Sequence, residues 1–354
     1  MAKTAHRVLI PANMPAPAPL PAAAVSTRLC GHSMGTSWSV HLLHPPQLSA
    51  AVLQAGIEQQ LDLVVAQMSH WEADSALSRF NRAAAGSWHS LAPEFFKVLD
   101  YALYVAQQSR GAYDPAIGHL VNVWGFGPHQ AAQAICPAMP DPATLQQARL
   151  AGGWQQLRLE RATRRVRQPG GLALDLSSIA KGFSVDLVAT YLADCGVTSY
   201  LVEVGGELRG LGCKADLRPW WVELEHPHSA RHLGDKTIVA LHGLAVATSG
   251  DYRRYFVQDG QRYAHTIDPR SGYPLQHNLA SVTVLHAECM VADALATAIL
   301  VMGLEAGLAY AEQLHLPCLL LSRDKSDETA QGDSDNQNEP MSEHLSSALR
   351  AMLE

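Results

Sequence analysis

Cysteine is scarce in this chain: six residues among 354, namely Cys30, Cys136, Cys195, Cys213, Cys289 and Cys318. No two stand close enough for a Cys-x-x-Cys zinc or redox motif, and the density is far below that of a disulfide scaffold. They read as small buried hydrophobes with free thiols, as in a reducing compartment. An excess of positive charge is lacking too. With 26 Lys and Arg against 33 Asp and Glu, the formal charge of -7 leaves no footprint for nucleic acid or an anionic membrane. Long apolar runs are missing: the longest helix-like stretch, 291–311, is interrupted by Asp293, Thr297 and Glu305, which argues against a transmembrane span. After Lys3 and Arg7 only Val8, Leu9 and Ile10 precede a series of prolines, whereas a secretion signal needs roughly 7–15 apolar residues. Cys30 follows Thr27-Arg28-Leu29 and makes a poor lipoprotein acceptor. The expected location is cytoplasmic, with export as the alternative if the N-terminus is misassigned.

What is present is an ordinary globular composition, 47% apolar and 17% charged, long enough for about two domains. Residues 1–29 read as a flexible Pro/Ala-rich leader. Residues 323–354 read as an acidic, disordered C-terminal tail, polar to about Pro340, with a short helix through Leu345, Leu349 and Met352, docked or free, at its end. The functional core is 30–322, without internal repeats. Within it, alternation or apolar richness predicts strands at 36–43, 154–159, 172–176, 199–204, 219–224, 236–242 and 280–285. Helical spacing predicts helices at 48–68, 93–109, 178–195 and 291–312. Strands cluster between helices instead of alternating with them, so the expected class is α+β, with mixed or antiparallel sheets flanked by helices.

Four segments could carry chemistry. In Asp175-Leu176-Ser177-Ser178-Ile179-Ala180-Lys181-Gly182, an apolar strand gives way to a helix that Ser177 or Ser178 can cap. Its N-terminus and Lys181 would attract an anion. The same segment reads equally as an ordinary capped helix with a solvated lysine, and no Walker motif occurs in the chain. Asp293 and Thr297, four apart among small residues, share a helix face and offer oxygens to a hard cation such as Mg²⁺. A helix cap explains them as simply. His265 stands just before the Asp268-Pro269 turn, where a base could be held rigidly; with 17 histidines in the chain, position alone selects none of them. Tyr113-Asp114-Pro115 and Trp124-Gly125-Phe126-Gly127 could form a slot for a planar ring, or plain hydrophobic turns. Glu203-Val204-Gly205-Gly206-Glu207 ends a strand where backbone passes close to something, or bulges.

Taken in order, these segments resemble the ApbE family of FAD:protein FMN transferases over about residues 33–305. The likeness starts at Met34-Gly35-Thr36 and runs through Met68-Ser69, Trp71 and Ser78-Arg79-Phe80-Asn81. It continues through the motifs above and Thr248-Ser249-Gly250-Asp251-Tyr252, and ends at Ala292–Ala298. The resemblance implies an ApbE-like (T-fold-like) fold of two unequal parts with a flavin cleft between them. It implies an FAD site lined by Met34, Trp71, Ala112, Tyr113, Asp114, Asp175, Lys181 and Ile267. The backbone carbonyl of Ser178, with Asp293 and Thr297, would hold Mg²⁺, and His265 would help remove the acceptor's proton. The implied partner is a redox flavoprotein subunit whose Thr or Ser hydroxyl receives FMN while AMP leaves. Ser177-Ser178 stands where many members have glycines, and Thr266 replaces a commoner aliphatic residue. Many bacterial members are also exported lipoproteins, a signal this chain lacks. The residues alone leave two alternatives: an Mg²⁺-dependent FAD pyrophosphatase, with water as acceptor, and a non-catalytic flavin-binding protein.

Overall fold

The structure, a computed structural model, describes residues 6–11, 14–128, 139–227, 236–252, 254–258, 261–324 and 341–353. The chain divides into two compact units. The first comprises Met1–Leu61, Lys181–Gly250 and Asn278–Glu354; the second comprises Asp62–Ala180 and Asp251–His277.

The first unit is built on one antiparallel sheet of eight strands, ordered Met341–Leu345, Cys318–Arg323, Leu279–His286, Leu244–Gly250, Glu207–Leu211, Ser199–Val204, Thr36–His44 and Val25–Ser33. Alternation along each strand sends side chains to opposite faces. Val202 and Val204 join a core with Leu53 and Ile57 of helix Ala50–Met68 and with Val185, Val188 and Leu192 of helix Ala180–Asp194. Leu201 faces a second core with Leu9, Val222, Val239, Leu319 and Leu321. That core is shared with a small sheet of His6–Leu9, Lys236–Leu241 and Trp220–Glu223. Helix and antiparallel sheet thus combine as the α+β class requires.

The second unit carries helices Ala76–Asn81, Pro93–Gln108, Gly118–Val123 and Pro142–Ala151 with a three-stranded sheet and two short hairpins. Its aromatic nucleus is Trp124, Phe256 and Tyr263. The last two rings stack at 5.1 Å, and the indole lies 5.8 Å from Tyr263 and donates to the Gly272 carbonyl at 2.9 Å.

Several expectations are corrected. The 1–29 leader contains two strands, His6–Leu9 and the start of Val25–Ser33. Val25–Ser33 is an edge strand in which only Leu29 is buried, so it lacks the alternation that marks a strand in sequence. In the tail, Met341–Leu345 pairs antiparallel with Cys318–Arg323, and Ser346 caps helix Ser347–Arg350. Leu349 and Met352 are buried in the core that holds Leu9, and the Ile10 N–H donates to the Met352 carbonyl at 2.8 Å. The acidic stretch 325–340 and Cys136 lie outside the described residues.

The expected helix 291–312 is two helices, Cys289–Met302 and Leu304–Gln313, parted by Gly303 at φ 79°. The expected strand 154–159 is a 3-10 turn, Trp154–Gln156, followed by a short strand from Arg158. Segment 172–176 joins no sheet. It is apolar and buried, as a strand would be, but side chains bind its backbone. Asn81 Nδ2 donates to the Leu174 carbonyl at 2.9 Å and its Oδ1 accepts from the Leu174 N–H at 2.8 Å, while Gln168 does the same at Leu172.

Candidate functional site

In the first unit the chemistry gathers where helix Ala180–Asp194 meets helix Cys289–Met302. Gly182 makes the approach possible: a Cβ there would fall 2.5 Å from the Cys289 carbonyl oxygen and 2.7 Å from Asp293 Cβ. Any side chain would force the two helices apart. With the helices this close, Asp293 Oδ2 accepts the Gly182 N–H at 2.9 Å. Asp293 is 4% exposed. Burial pushes its carboxyl above the ordinary range and the Asp186 carboxylate adds to this, while Lys181 and the Gly182 N–H oppose it. A bound cation would reverse that balance.

Lys181 is not a solvated lysine. Its Nζ pairs with Glu207 Oε1 at 2.5 Å, and Glu207 is buried just past the Gly205-Gly206 turn. Thr297, one turn after Asp293, shares its face, and its Oγ1 lies 2.9 Å from Ser249 Oγ on the neighbouring strand. No three His, Cys, Asp or Glu side chains converge as a metal cluster among the described residues. The donors present are one carboxylate and two hydroxyls, an all-oxygen set that fits a hard cation such as Mg²⁺ more than zinc. Met34 occupies a two-residue hairpin turn with Gly35, both at positive φ (51° and 71°). A side chain there costs about 1 kcal/mol relative to glycine, and Met34 spends it while packing on the sheet core.

In the second unit the expected flavin-site residues are held by long-range hydrogen bonds. Asp114 accepts from the N–H groups of Ala116 (2.8 Å) and Trp154 (3.1 Å), yet burial outweighs these bonds and its carboxyl is pushed up to about 6. Ala112 and Tyr113 are buried, and Tyr113 Oη accepts from Ser178 Oγ at 3.1 Å. The expected serine cap is therefore absent: Ser178 is bound to Tyr113, and it is Asp175 Oδ1 that accepts the Ser177 N–H at 2.8 Å. Asp175 also lies 3.7 Å from His70 Nδ1. Trp71 leaves 48% of its surface exposed. His265 follows strand Gln261–Ala264, and both its N–H and its Nδ1 meet the Arg254 carbonyl at 3.0 Å. A carbonyl only accepts, so the neutral ring carries its proton on Nδ1 and its basic lone pair on Nε2. Phe126 packs edge-on against this ring, 6.2 Å away, and Ile267 is buried two residues on.

Thus Met34, Lys181, Asp293 and Thr297 belong to the first unit, and Trp71, Ala112, Tyr113, Asp114, Asp175, Ser178, His265 and Ile267 to the second. Sequence reasoning missed Glu207 as Lys181's partner and missed Asp186 altogether. Asp186 announces itself only as a charge in the otherwise apolar stripe Val185, Val188, Ala189.

A family model described as the ApbE family matches residues 34–320. The chain belongs to the ApbE family. A Vibrio cholerae protein named FAD:protein FMN transferase is 39% identical over 299 residues, 84% of this chain and 88% of its own length. A Haemophilus influenzae protein of the same name is 37% identical, over 83% of this chain and 86% of its own. The apo crystal structure of the Pseudomonas stutzeri flavinyl transferase ApbE shares this fold with a TM-score of 0.81 at 34% identity. The match covers 93% of this chain and 97% of that one.

Proposed function

We propose that this protein transfers the FMN moiety of FAD to a Thr or Ser hydroxyl of a target flavoprotein and releases AMP. The observation that carries this reading is the 39% identity, over 84% of the chain, to a relative named FAD:protein FMN transferase. Supporting it are the Lys181–Asp293 junction and the tautomer of His265.

In the reaction, the acceptor oxygen bonds to the FMN-side phosphorus as the bridging P–O bond to AMP breaks. Such a transfer needs positioning and charge cancellation more than covalent help. Asp293, Thr297 and the Ser178 carbonyl are the proposed holders of Mg²⁺, which when bound would neutralise the pyrophosphate oxygens. Lys181 contributes a cation whose position Glu207 fixes. The basic Nε2 of His265 takes the acceptor's proton, and the Arg254 carbonyl keeps the ring in the tautomer that can do so. Met34, Trp71, Ala112, Tyr113, Asp114, Asp175 and Ile267 form the proposed flavin shell, aromatic with a few fixed polar groups.

Among the described residues no helix is long and apolar enough to cross a membrane. The five described cysteines are free thiols, which supports a proposed cytoplasmic site of action.

The test is incubation with FAD, Mg²⁺ and candidate flavoprotein subunits. Covalent flavin fluorescence on a denatured subunit, with AMP released in equal amount, is expected. AMP with free FMN would make the protein a pyrophosphatase, and bound FAD without AMP would make it a carrier.

A further inference from the structure

Helix Cys289–Met302 is buried almost throughout. Water cannot serve the N–H groups of its first turn, so a side chain must. The residue at the N-cap position, Glu288, makes no capping bond with its side chain. Asp186, on the other helix, does this instead. Its Oδ1 accepts the Cys289 N–H at 3.0 Å and its Oδ2 accepts the Met290 N–H at 2.9 Å. Arg209 Nη1 holds the same carboxylate at 2.5 Å from strand Glu207–Leu211. Asp186 is 6% exposed.

The two helices therefore clasp each other reciprocally. Asp186 of the first binds the opening N–H groups of the second, and Asp293 of the second binds the Gly182 N–H of the first. Gly182 and Asp186 are four apart on one helix, as are Cys289 and Asp293 on the other, so both bonds lie on the facing sides. The start of the second helix sets where Asp293, one turn later, presents its carboxylate. Resting on the metal role given to Asp293 above, we propose that Asp186 is a positioning residue for the cation site. It fixes the axial setting and rotation of the Asp293 helix, and Arg209 fixes Asp186. Three donors converge on this carboxylate. An amide in its place offers one acceptor oxygen and turns an NH₂ toward a donor, so part of the clasp must open.

The test measures Mn²⁺ bound by the full-length protein saturated with FAD, from the loss of the free-ion EPR signal, beside thermal melting. Asp186→Asn is expected to weaken Mn²⁺ binding roughly ten- to a hundredfold, the range seen when a group that orients a metal ligand is lost. Arg209→Lys is expected to weaken it less, in the same direction. Ile299→Ala, a cavity in the same helix away from the clasp, is expected to lower the melting temperature while keeping the parent's Mn²⁺ affinity. Parent-like Mn²⁺ affinity in Asp186→Asn overturns the proposal. If that variant does not fold, parent-like affinity in Arg209→Lys overturns it. Equal weakening in Ile299→Ala does so too, since general loosening then explains the effect. Asp293→Ala is the control for the underlying reading. If it binds Mn²⁺ as the parent does, the metal role of Asp293 fails and the proposal fails with it, a result distinct from any Asp186 outcome.

Discussion

The two units hold the residues proposed for function in opposite ways. In the first, Lys181, Asp293 and Thr297 ride on long helices locked by buried charge: Asp186 with Arg209, Lys181 with Glu207, Asp293 with a backbone N–H. In the second, Tyr113, Asp114, Asp175 and His265 sit on irregular segments tied by individual hydrogen bonds to backbone groups. Asn81 binds at Leu174, the Asp114 and Asp175 carboxylates accept from nearby N–H groups, and His265 donates to the Arg254 carbonyl. Buried ion pairs on rigid helices suit a site that must hold phosphate and cation charge in one place. Loops tied by individual hydrogen bonds to backbone groups suit a flat ring and an incoming protein segment. The first unit is therefore expected to govern metal dependence and the second to govern flavin binding and proton transfer.

Four substitutions sharpen or break that division. Asp293→Ala should abolish Mg²⁺-dependent AMP release while the protein stays folded, as judged by circular dichroism; full activity, or activity undiminished in excess EDTA, would break it. Gly182→Ala should cost about 3 kcal/mol in urea unfolding, because the neighbour at 2.5 Å is a backbone carbonyl that cannot swing away. It should also raise the Mg²⁺ concentration for half-maximal rate with little change in FAD affinity.

Asp114→Asn tests the second unit through pH. The Asp114 carboxyl is raised from its ordinary 3.8 to about 6, so the folded state holds that proton more tightly than the unfolded chain does. Its contribution to stability is full below about pH 4 and is lost as pH rises to about 6. The variant should lack this fall, gaining about 2–3 kcal/mol relative to the parent across that window in urea titrations. Parallel stability curves would contradict the burial argument. Asn81→Ala should cost about 1–2 kcal/mol, for the two bonds it makes at Leu174. It should weaken FAD binding several-fold in fluorescence titration and leave the Mg²⁺ requirement unchanged.

The same contrast explains what could be read from the chain. Helical periodicity placed Ala50–Met68, Pro93–Gln108 and Ala180–Asp194 within two residues, and Asp293 and Thr297 were visible as a shared face. Apolar alternation placed the central strands, Ser199–Val204 to the residue. What failed was non-local. Asn81 stands in for a neighbouring strand 93 positions away, so 172–176 has a strand's composition without a ladder. Asp186 caps a helix that begins 103 residues later, and no local pattern announces that. The described strands near the two ends, His6–Leu9 and Met341–Leu345, do not mark themselves in sequence, and each forms by pairing with a strand from elsewhere in the chain, Lys236–Leu241 and Cys318–Arg323. Ala112 and Ile267 became candidates only through family likeness, because a buried small or aliphatic residue in a turn carries no signal of its own.

The division of labour is tested most directly by single-turnover transfer from saturating FAD to a target subunit, comparing His265→Ala with the parent. FAD binding within a few-fold of the parent is expected, with a transfer rate lower by roughly 10²–10⁴, the range for loss of a general base. Transfer at the parent's rate, or a loss that disappears once FAD binding is restored, would contradict the catalytic role and assign His265 to the flavin shell instead.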